Sequence, residues 1–311
     1  MDRREFLKRL AGMGAAGAAL FLGGRGGPAL AWAEEAGKAA TPAPPDLVAI
    51  KGGESVAMLD RGIKELGGMG AFVRKGQTVV VKPNIGWDQG PEVAANTNPA
   101  LVKRVVEHCL EAGAKKVWVF DNSCNYGPRC YASSQIARYA KEGGAEVVPG
   151  DSSSYYHEVA VPGAVRLKKM AVHELILEAD VFINVPILKN HSGAGMTCAM
   201  KNLMGIVWDR EAFHRQDLDQ CIADSCLFRK PALNIIDAWK VMLTGGPRGY
   251  SGSRYDEQRM LMLSTDIVAS DAASAKVLGK PMEGFGYIAK AEARGLGRSD
   301  LAKLNIRRLT M

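Results

Sequence analysis

The sequence lacks most of the short motifs that announce a cofactor. It has six cysteines but no C-x-x-C, and no C-x-x-C-x-x-C-x-x-x-C run of the kind that holds an iron–sulfur cluster. Its one glycine loop between an apolar run and a helical pattern, Ser192-Gly193-Ala194-Gly195, is no nucleotide fingerprint. A Gly-x-Gly-x-x-Gly would need glycine at Cys198, and a P-loop would need Gly-Lys-Ser/Thr at the helix start. There is no Ser-His-Asp order and no nucleophile elbow. Beyond the N-terminal segment no stretch is long and apolar enough to span a bilayer. There is no internal repeat. These absences argue against conventional dinucleotide, P-loop, serine-hydrolase and ferredoxin chemistry.

The first segment is laid out as an export signal rather than as part of a fold. Arg3-Arg4-Glu5-Phe6-Leu7-Lys8 is followed by a weakly apolar Gly/Ala-rich run over residues 10–24. Ala31-Trp32-Ala33 then forms a small-x-small cleavage site. The Arg-Arg-x-Phe-Leu-Lys order resembles a twin-arginine signal. We expect residues 1–33 to be removed by the twin-arginine translocation machinery, giving a periplasmic or otherwise extracytoplasmic protein with no stable membrane span. Residues 34–45, with Thr41-Pro42-Ala43-Pro44-Pro45, read as a proline-rich linker, and residues 46–311 as the folded domain.

The whole chain has 40 basic and 33 acidic residues. Cleavage removes Arg3, Arg4, Lys8, Arg9 and Arg25 together with Asp2 and Glu5, leaving +4. That balance does not suggest a nucleic-acid partner and suits an anionic small molecule. In an oxidising compartment, Cys124/Cys130 and Cys221/Cys226 are the disulfides that sequence proximity allows.

Along the domain, apolar strand candidates (residues 47–50, 78–81, 117–120, 146–148, 181–185, 233–236 and 260–263) alternate with helical patterns. The latter cover residues 55–66, 99–112, 133–142, 172–179, 217–228 and 267–278, and residues 159–167 read as an antiparallel excursion. This alternation predicts an α/β domain, with a mainly parallel open sheet and helices on both faces. Five strands finish in polar clusters: Lys82-Pro83-Asn84, Asp121-Asn122-Ser123, Lys189-Asn190-His191, Asp237 and Ser264-Thr265-Asp266. Parallel strands would bring all five to one edge, where open α/β sheets bind ligands.

The stretch from Val181 to Val207 is the most informative. It reads as a strand ended by Pro186, then Lys189 and His191, then the glycine loop with Gly193 and Gly195, then a helix from about Thr197. Met196, Met200 and Met204 lie on the apolar stripe of that helix, and Lys201 and Asn202 lie on another face. Amides at a helix start attract anions.

Several features match a known family in order and spacing. They are Val81-Lys82-Pro83-Asn84 with Asn96-Thr97-Asn98-Pro99, Val119-Phe120-Asp121, Asn184-Val185-Pro186-x-Leu188-Lys189-x-His191, and Lys201-Asn202-x-x-Gly205. Ile236-Asp237-Ala238 with Gly246-Pro247, and Thr265-Asp266-x-Val268-Ala269-x-Asp271, complete the set. The chain thus resembles the family called domain of unknown function 362, some members of which are described as iron–sulfur-centre proteins. The resemblance implies a fold and a shared site more than a reaction. Members called iron–sulfur proteins usually carry an added ferredoxin-like cysteine segment, which this chain lacks.

The site expected from these readings places His191, Lys189, Asp121 and Asp237 in catalysis. Lys82, Asn84, Lys201, Asn202, Thr197, Gly193 and Gly195 are expected to bind substrate. Asp121, Asp237, Asp266 and Asp271 are of the type that holds a hard cation such as magnesium, although Asp266 equally suits a helix cap. His108, His157, His173 and His214 read as structural. Two functions stay open: an exported enzyme acting on an anionic small molecule, with or without a divalent metal, and an iron–sulfur or other metal-binding redox protein.

Overall fold

The structure, a computed structural model, describes residues 43–311; the expected export signal and most of the expected linker lie outside them. In chain order the strands are β1 (Leu47–Lys51), β2 (Thr78–Pro83), β3 (Lys116–Val119), β4 (Glu146–Val147), β5 (Tyr156–Ala160), β6 (Lys169–His173) and β7 (Val181–Val185). They continue with β8 (Ile187–His191), β9 (Gly195–Thr197), β10 (Leu233–Met242), β11 (Tyr255–Asp256), β12 (Met260–Ser264) and β13 (Ile306–Thr310). The main sheet runs β13-β1-β12-β10-β7-β2-β3-β4. From β10 to β4 every neighbour is parallel. This is the α/β architecture with a mostly parallel sheet that the alternating pattern predicts. The antiparallel excursion is also present, as the separate β5–β6 pair.

Strand alternation builds the core on both faces of the sheet. Val79 and Val81 of β2 join the cluster with Met58, Leu59 and Ile63 of the Ser55–Glu65 helix and Val102, Val105 and Val106 of the Pro99–Glu111 helix. Val80 and Phe182 point the other way, into the cluster holding Met196, Met200, Met204 and Val268. The methionine stripe is therefore core. The Pro99–Glu111 helix starts as its sequence predicts, with Pro99 at the first position and Asn98 accepting from the Ala100 amide at 2.9 Å.

Four local expectations are corrected. Pro186 ends β7, but the chain re-enters the sheet at once as β8, because the Pro186 carbonyl still accepts from the Asp237 amide at 2.9 Å. What was expected to be a glycine loop opening a helix at Thr197 is a hairpin, β8 against β9, and the helix that follows covers only Ala199–Asn202. β12 is antiparallel to both β1 and β10, with Ser264 facing Leu47 and Asn234. The Ser264-Thr265-Asp266 cluster thus lies on the opposite edge, where Asp266 caps the next helix by accepting from Ala269. Finally, residues 169–173 form β6, and the helix beyond is only Glu174–Glu178, capped by His173.

Candidate functional site

At the carboxyl edge of the parallel strands lies a cavity of about 620 Å³. Its wall includes Lys82 from the end of β2 and Asn84 just after it, Asp121 just after β3, Lys189 and His191 from β8, and Thr197 from β9. Lys201 and Asn202 come from the short helix, and Arg210 from the segment beyond it. The expected Lys82, Asn84, Asp121, Lys189, His191, Thr197, Lys201 and Asn202 are thus brought to one cavity.

Lys82 and Asp121 form a buried ion pair at 2.8 Å, with side chains 1% and 2% exposed. The contact is off the line of an aligned hydrogen bond, and Asp121 Oδ1 has no other donor. Asp121 Oδ2 accepts from the Ile85 amide at 2.6 Å. Lys82 Nζ donates to Pro83 O at 2.9 Å and to Asn202 Oδ1 at 3.0 Å, so two of its three hydrogens are committed to protein acceptors and the third lies on the Asp121 side. Burial pulls its pKa down, and the Asp121 charge opposes that. Gly205 is what lets the pair sit there: a Cβ at that position would lie 1.9 Å from Asp121 Oδ1 and 2.6 Å from Lys82 Nζ.

Asn202 ties the floor together. Its carboxamide oxygen accepts from Lys82 and from Asn84 Nδ2, each at 3.0 Å, and its nitrogen donates to Asn184 Oδ1 at 2.9 Å. The short helix carrying Lys201 and Asn202 is held at its start by buried Asp271, which accepts from the Ala199 and Met200 amides at 2.7 and 3.2 Å. Burial raises the Asp271 carboxyl to about 7. The role of Asp271 is therefore to hold backbone, although the sequence suggests a cation ligand.

The other cations differ from Lys82. Lys189 Nζ donates to Asn84 Oδ1 at 3.1 Å and to Ala95 O, and meets no carboxylate among the described residues. Burial lowers its pKa to about 7. Lys201 makes no hydrogen bond or ion pair among the described residues, and burial, with Arg210 and Lys82 nearby, lowers it to about 8. Arg210 donates to Asn122 O at 2.8 Å, Ser123 O at 2.6 Å and the exposed Cys124 Sγ at 3.2 Å. His191 Nδ1 accepts from the Gly193 and Ala194 amides at 3.0 and 3.2 Å. Its neutral ring therefore carries the proton on Nε2, as a donor. Burial, then Lys201 and Lys189, push its pKa down to about 3, so it stays neutral across the physiological range.

Three expected members are absent from this wall. Asp237 lines a second cavity of about 490 Å³. Its strand does not stop at Ile236 but runs on to Met242, so Asp237 sits within β10 and accepts from the Asn98 and Trp239 amides at 2.8 and 3.3 Å. Burial raises its carboxyl to about 6. Gly193 serves as an amide donor to His191, and Gly195, at φ +76°, lies against Phe285, 2.7 Å from where its Cβ would be. Sequence reasoning in turn missed Arg210 and Cys124. Cys124 follows the Asp121-Asn122-Ser123 cluster directly, which is the signal that could have found it. Arg210 lies on an irregular segment with no periodicity to place it.

The expected disulfides are not formed: all six cysteines are free. Cys124 faces the Arg210 guanidinium, while Cys130 is buried with its thiol 3.8 Å from Gly86 O. Cys221 and Cys226 are five residues apart at the Leu218–Ser225 helix, about 140° around its axis. Among the described residues no group of three or more His, Cys, Asp or Glu side chains is gathered to hold a metal. The cysteine set among the described residues does not fit an iron–sulfur cluster.

Residues 79–276 match the family described as domain of unknown function (DUF362). A thylakoid-associated protein of Synechocystis, sll1697, is 30% identical over 245 residues, which cover 73% of this chain and 70% of that one. Among solved structures, the lactate racemase apoprotein of Thermoanaerobacterium thermosaccharolyticum aligns with a TM-score of 0.41 at 13% identity, over 68% of this chain and 54% of that one. A Thermotoga maritima protein aligns with a TM-score of 0.42 at 9% identity, over 72% and 58%. The chain thus spans little more than half the length of either solved structure. The extent of the DUF362 match, together with the Synechocystis relative, shows that this chain belongs to the DUF362 family.

Proposed function

We propose that the cavity binds a small anionic compound and that the protein is an enzyme acting on that compound after export from the cytoplasm. One observation carries the reading: the wall holds cations that no carboxylate neutralises. Of Lys82, Lys189, Lys201 and Arg210, only Lys82 has a carboxylate partner among the described residues. The other two carboxylates at the wall, Asp209 and Glu211, pair with Arg215 at 2.7 and 3.1 Å. Lys201 has no partner at all among the described residues, so an arriving anion would meet an unengaged ammonium. The lowered lysine pKa values support the same conclusion. Burial and mutual repulsion make these charges costly, and an anion relieves both. His191 Nε2–H and the remaining Arg210 hydrogens add donors that favour negative charge. The export part rests on the Arg3-Arg4 signal.

Sulfate, ionised at every working pH, is the probe. Calorimetric titration should show binding that weakens as sodium chloride rises. Lys201→Met should weaken it roughly 10- to 150-fold, the loss of about 1.5–3 kcal/mol for a charge-assisted hydrogen bond, with little change in unfolding. Sulfate binding that is absent, or indifferent to Lys201→Met, would overturn the proposal.

A further inference from the structure

The two lysines that no carboxylate neutralises are not equivalent. Lys82 donates to Pro83 O and Asn202 Oδ1, and its charge is met by the Asp121 carboxylate at 2.8 Å. Lys189 has two acceptors, Asn84 Oδ1 and Ala95 O. Two acceptors match the two N–H bonds of a neutral amine, and the remaining tetrahedral position, where the lone pair sits, has no protein partner. Lys189 is buried, its side chain forms part of the cavity wall, and no carboxylate among the described residues pairs with it. Desolvation beside other cations is the setting in which a lysine becomes a nucleophile.

We infer that Lys189 is a Schiff-base lysine: the cavity takes an anionic aldehyde or ketone, such as a short 2-oxo acid, and the Lys189 amine adds to its carbonyl carbon. This deepens the anion-binding reading and rests on it, with Lys201 and Arg210 holding the anionic group. The C–N bond forms as the carbonyl π pair moves onto oxygen, which takes up a proton. The nitrogen gives up one of its two hydrogens on reaching the carbinolamine and the second as that oxygen leaves as water. The net change is amine plus carbonyl to imine plus water, with no oxidant or reductant. The Lys201 ammonium lines the same cavity and is the available proton donor, while the neutral His191 Nε2–H can hydrogen-bond the oxygen as it gains charge. One proton from the Lys201 ammonium converts the imine to the iminium, and Asn84 Oδ1 and Ala95 O remain in place to accept its N–H. The charged and titratable groups that bear on Lys189 are Cys124, Lys201, Asp121 and Lys82. The amine falls to about 7, which leaves it largely neutral above that pH.

The full chain is incubated with pyruvate or glyoxylate and cyanoborohydride, and the reduced adduct is located by peptide mass mapping. The expected result is an adduct at Lys189, forming faster as pH rises through about 7, and lost in Lys189→Arg. Lys201→Met should keep the Lys189 adduct but require roughly tenfold more pyruvate. Wild-type protein that binds sulfate yet gives no adduct, or adducts on surface lysines alone, overturns the Schiff-base role and leaves the anion site standing. Failure of sulfate binding as well overturns both.

Discussion

Asp121→Asn tests whether the buried pair under the cavity is a true charge pair. The change keeps the shape of the side chain and leaves an oxygen for the Ile85 amide, but removes the charge that Lys82 faces at 2.8 Å. With side chains 1% and 2% exposed, neither partner can turn to water. Removing one member of a buried pair costs about 3–5 kcal/mol, chiefly because the other charge is stranded. The lower end is expected here, since Lys82 keeps Pro83 O and Asn202 Oδ1 and can shed its proton. Urea unfolding followed by circular dichroism should therefore show a loss of about 3 kcal/mol. A double-mutant cycle with Lys82→Met isolates the pair: Lys82→Met should cost at least about 1 kcal/mol less in the Asp121→Asn background than in wild type. Gly205→Ala reaches the same pair by geometry alone, since its Cβ would fall 1.9 Å from Asp121 Oδ1. It should destabilise although it alters no charge. An Asp121→Asn loss below about 1 kcal/mol, with additive single variants, would refute the reasoning.

Two further outcomes are expected. Lys189 and Lys201 titrate at about 7 and about 8 in the folded chain against 10.5 for an ordinary lysine. Between those values the unfolded chain holds more protons, so their contribution to stability rises with pH from about 7 towards 10.5 and is lowest below 7. Lys189→Met should flatten that rise by up to about 1.4 kcal/mol per pH unit, and parallel wild-type and variant profiles from pH 7 to 10 would contradict it. Replacing Arg3 and Arg4 by lysine should leave uncleaved precursor in the cytoplasm on fractionation; normal export of that variant would remove the twin-arginine reading.

The site residues that follow strands were legible because burial writes apolar runs and the polar carboxyl edge of the sheet interrupts them. Lys82, Asn84 and Asp121 each stand where such a run stops. Lys201 and Asn202 reach the site through a hairpin and a short helix rather than the longer helix their pattern suggests, because either route returns the chain to the same edge. Strand direction was not legible. Met260 to Ser264 has the composition of a parallel core strand, and only its pairing with β1 and β10 reveals that it runs the other way. Asp237 misled for a related reason. A carboxylate after an apolar run looks like a strand end, but Ala238, Val241 and Met242 continue the buried strand beyond it. Its burial is met by the Asn98 and Trp239 amides, which lie far away or within the same strand. The disulfide expectation rested on closeness in sequence, which says nothing about which way two thiols face.

The floor of the cavity is stitched by contacts between distant parts of the chain. Lys82 meets Asn202 across 120 residues, and Lys189 meets Asn84 across 105. Pairings of that span form late, after long loops have closed, and parallel strands delay them further. No growing chain shorter than Arg210 can possess the site, however much local helix it has made. On the proposed anion-binding reading, occupancy would be a timer for topology: in a refolding experiment, the moment sulfate first binds would mark closure of the β2, β3 and β8 connections rather than collapse. A ligand present at that moment favours the closed chain alone and draws the final steps forward by mass action.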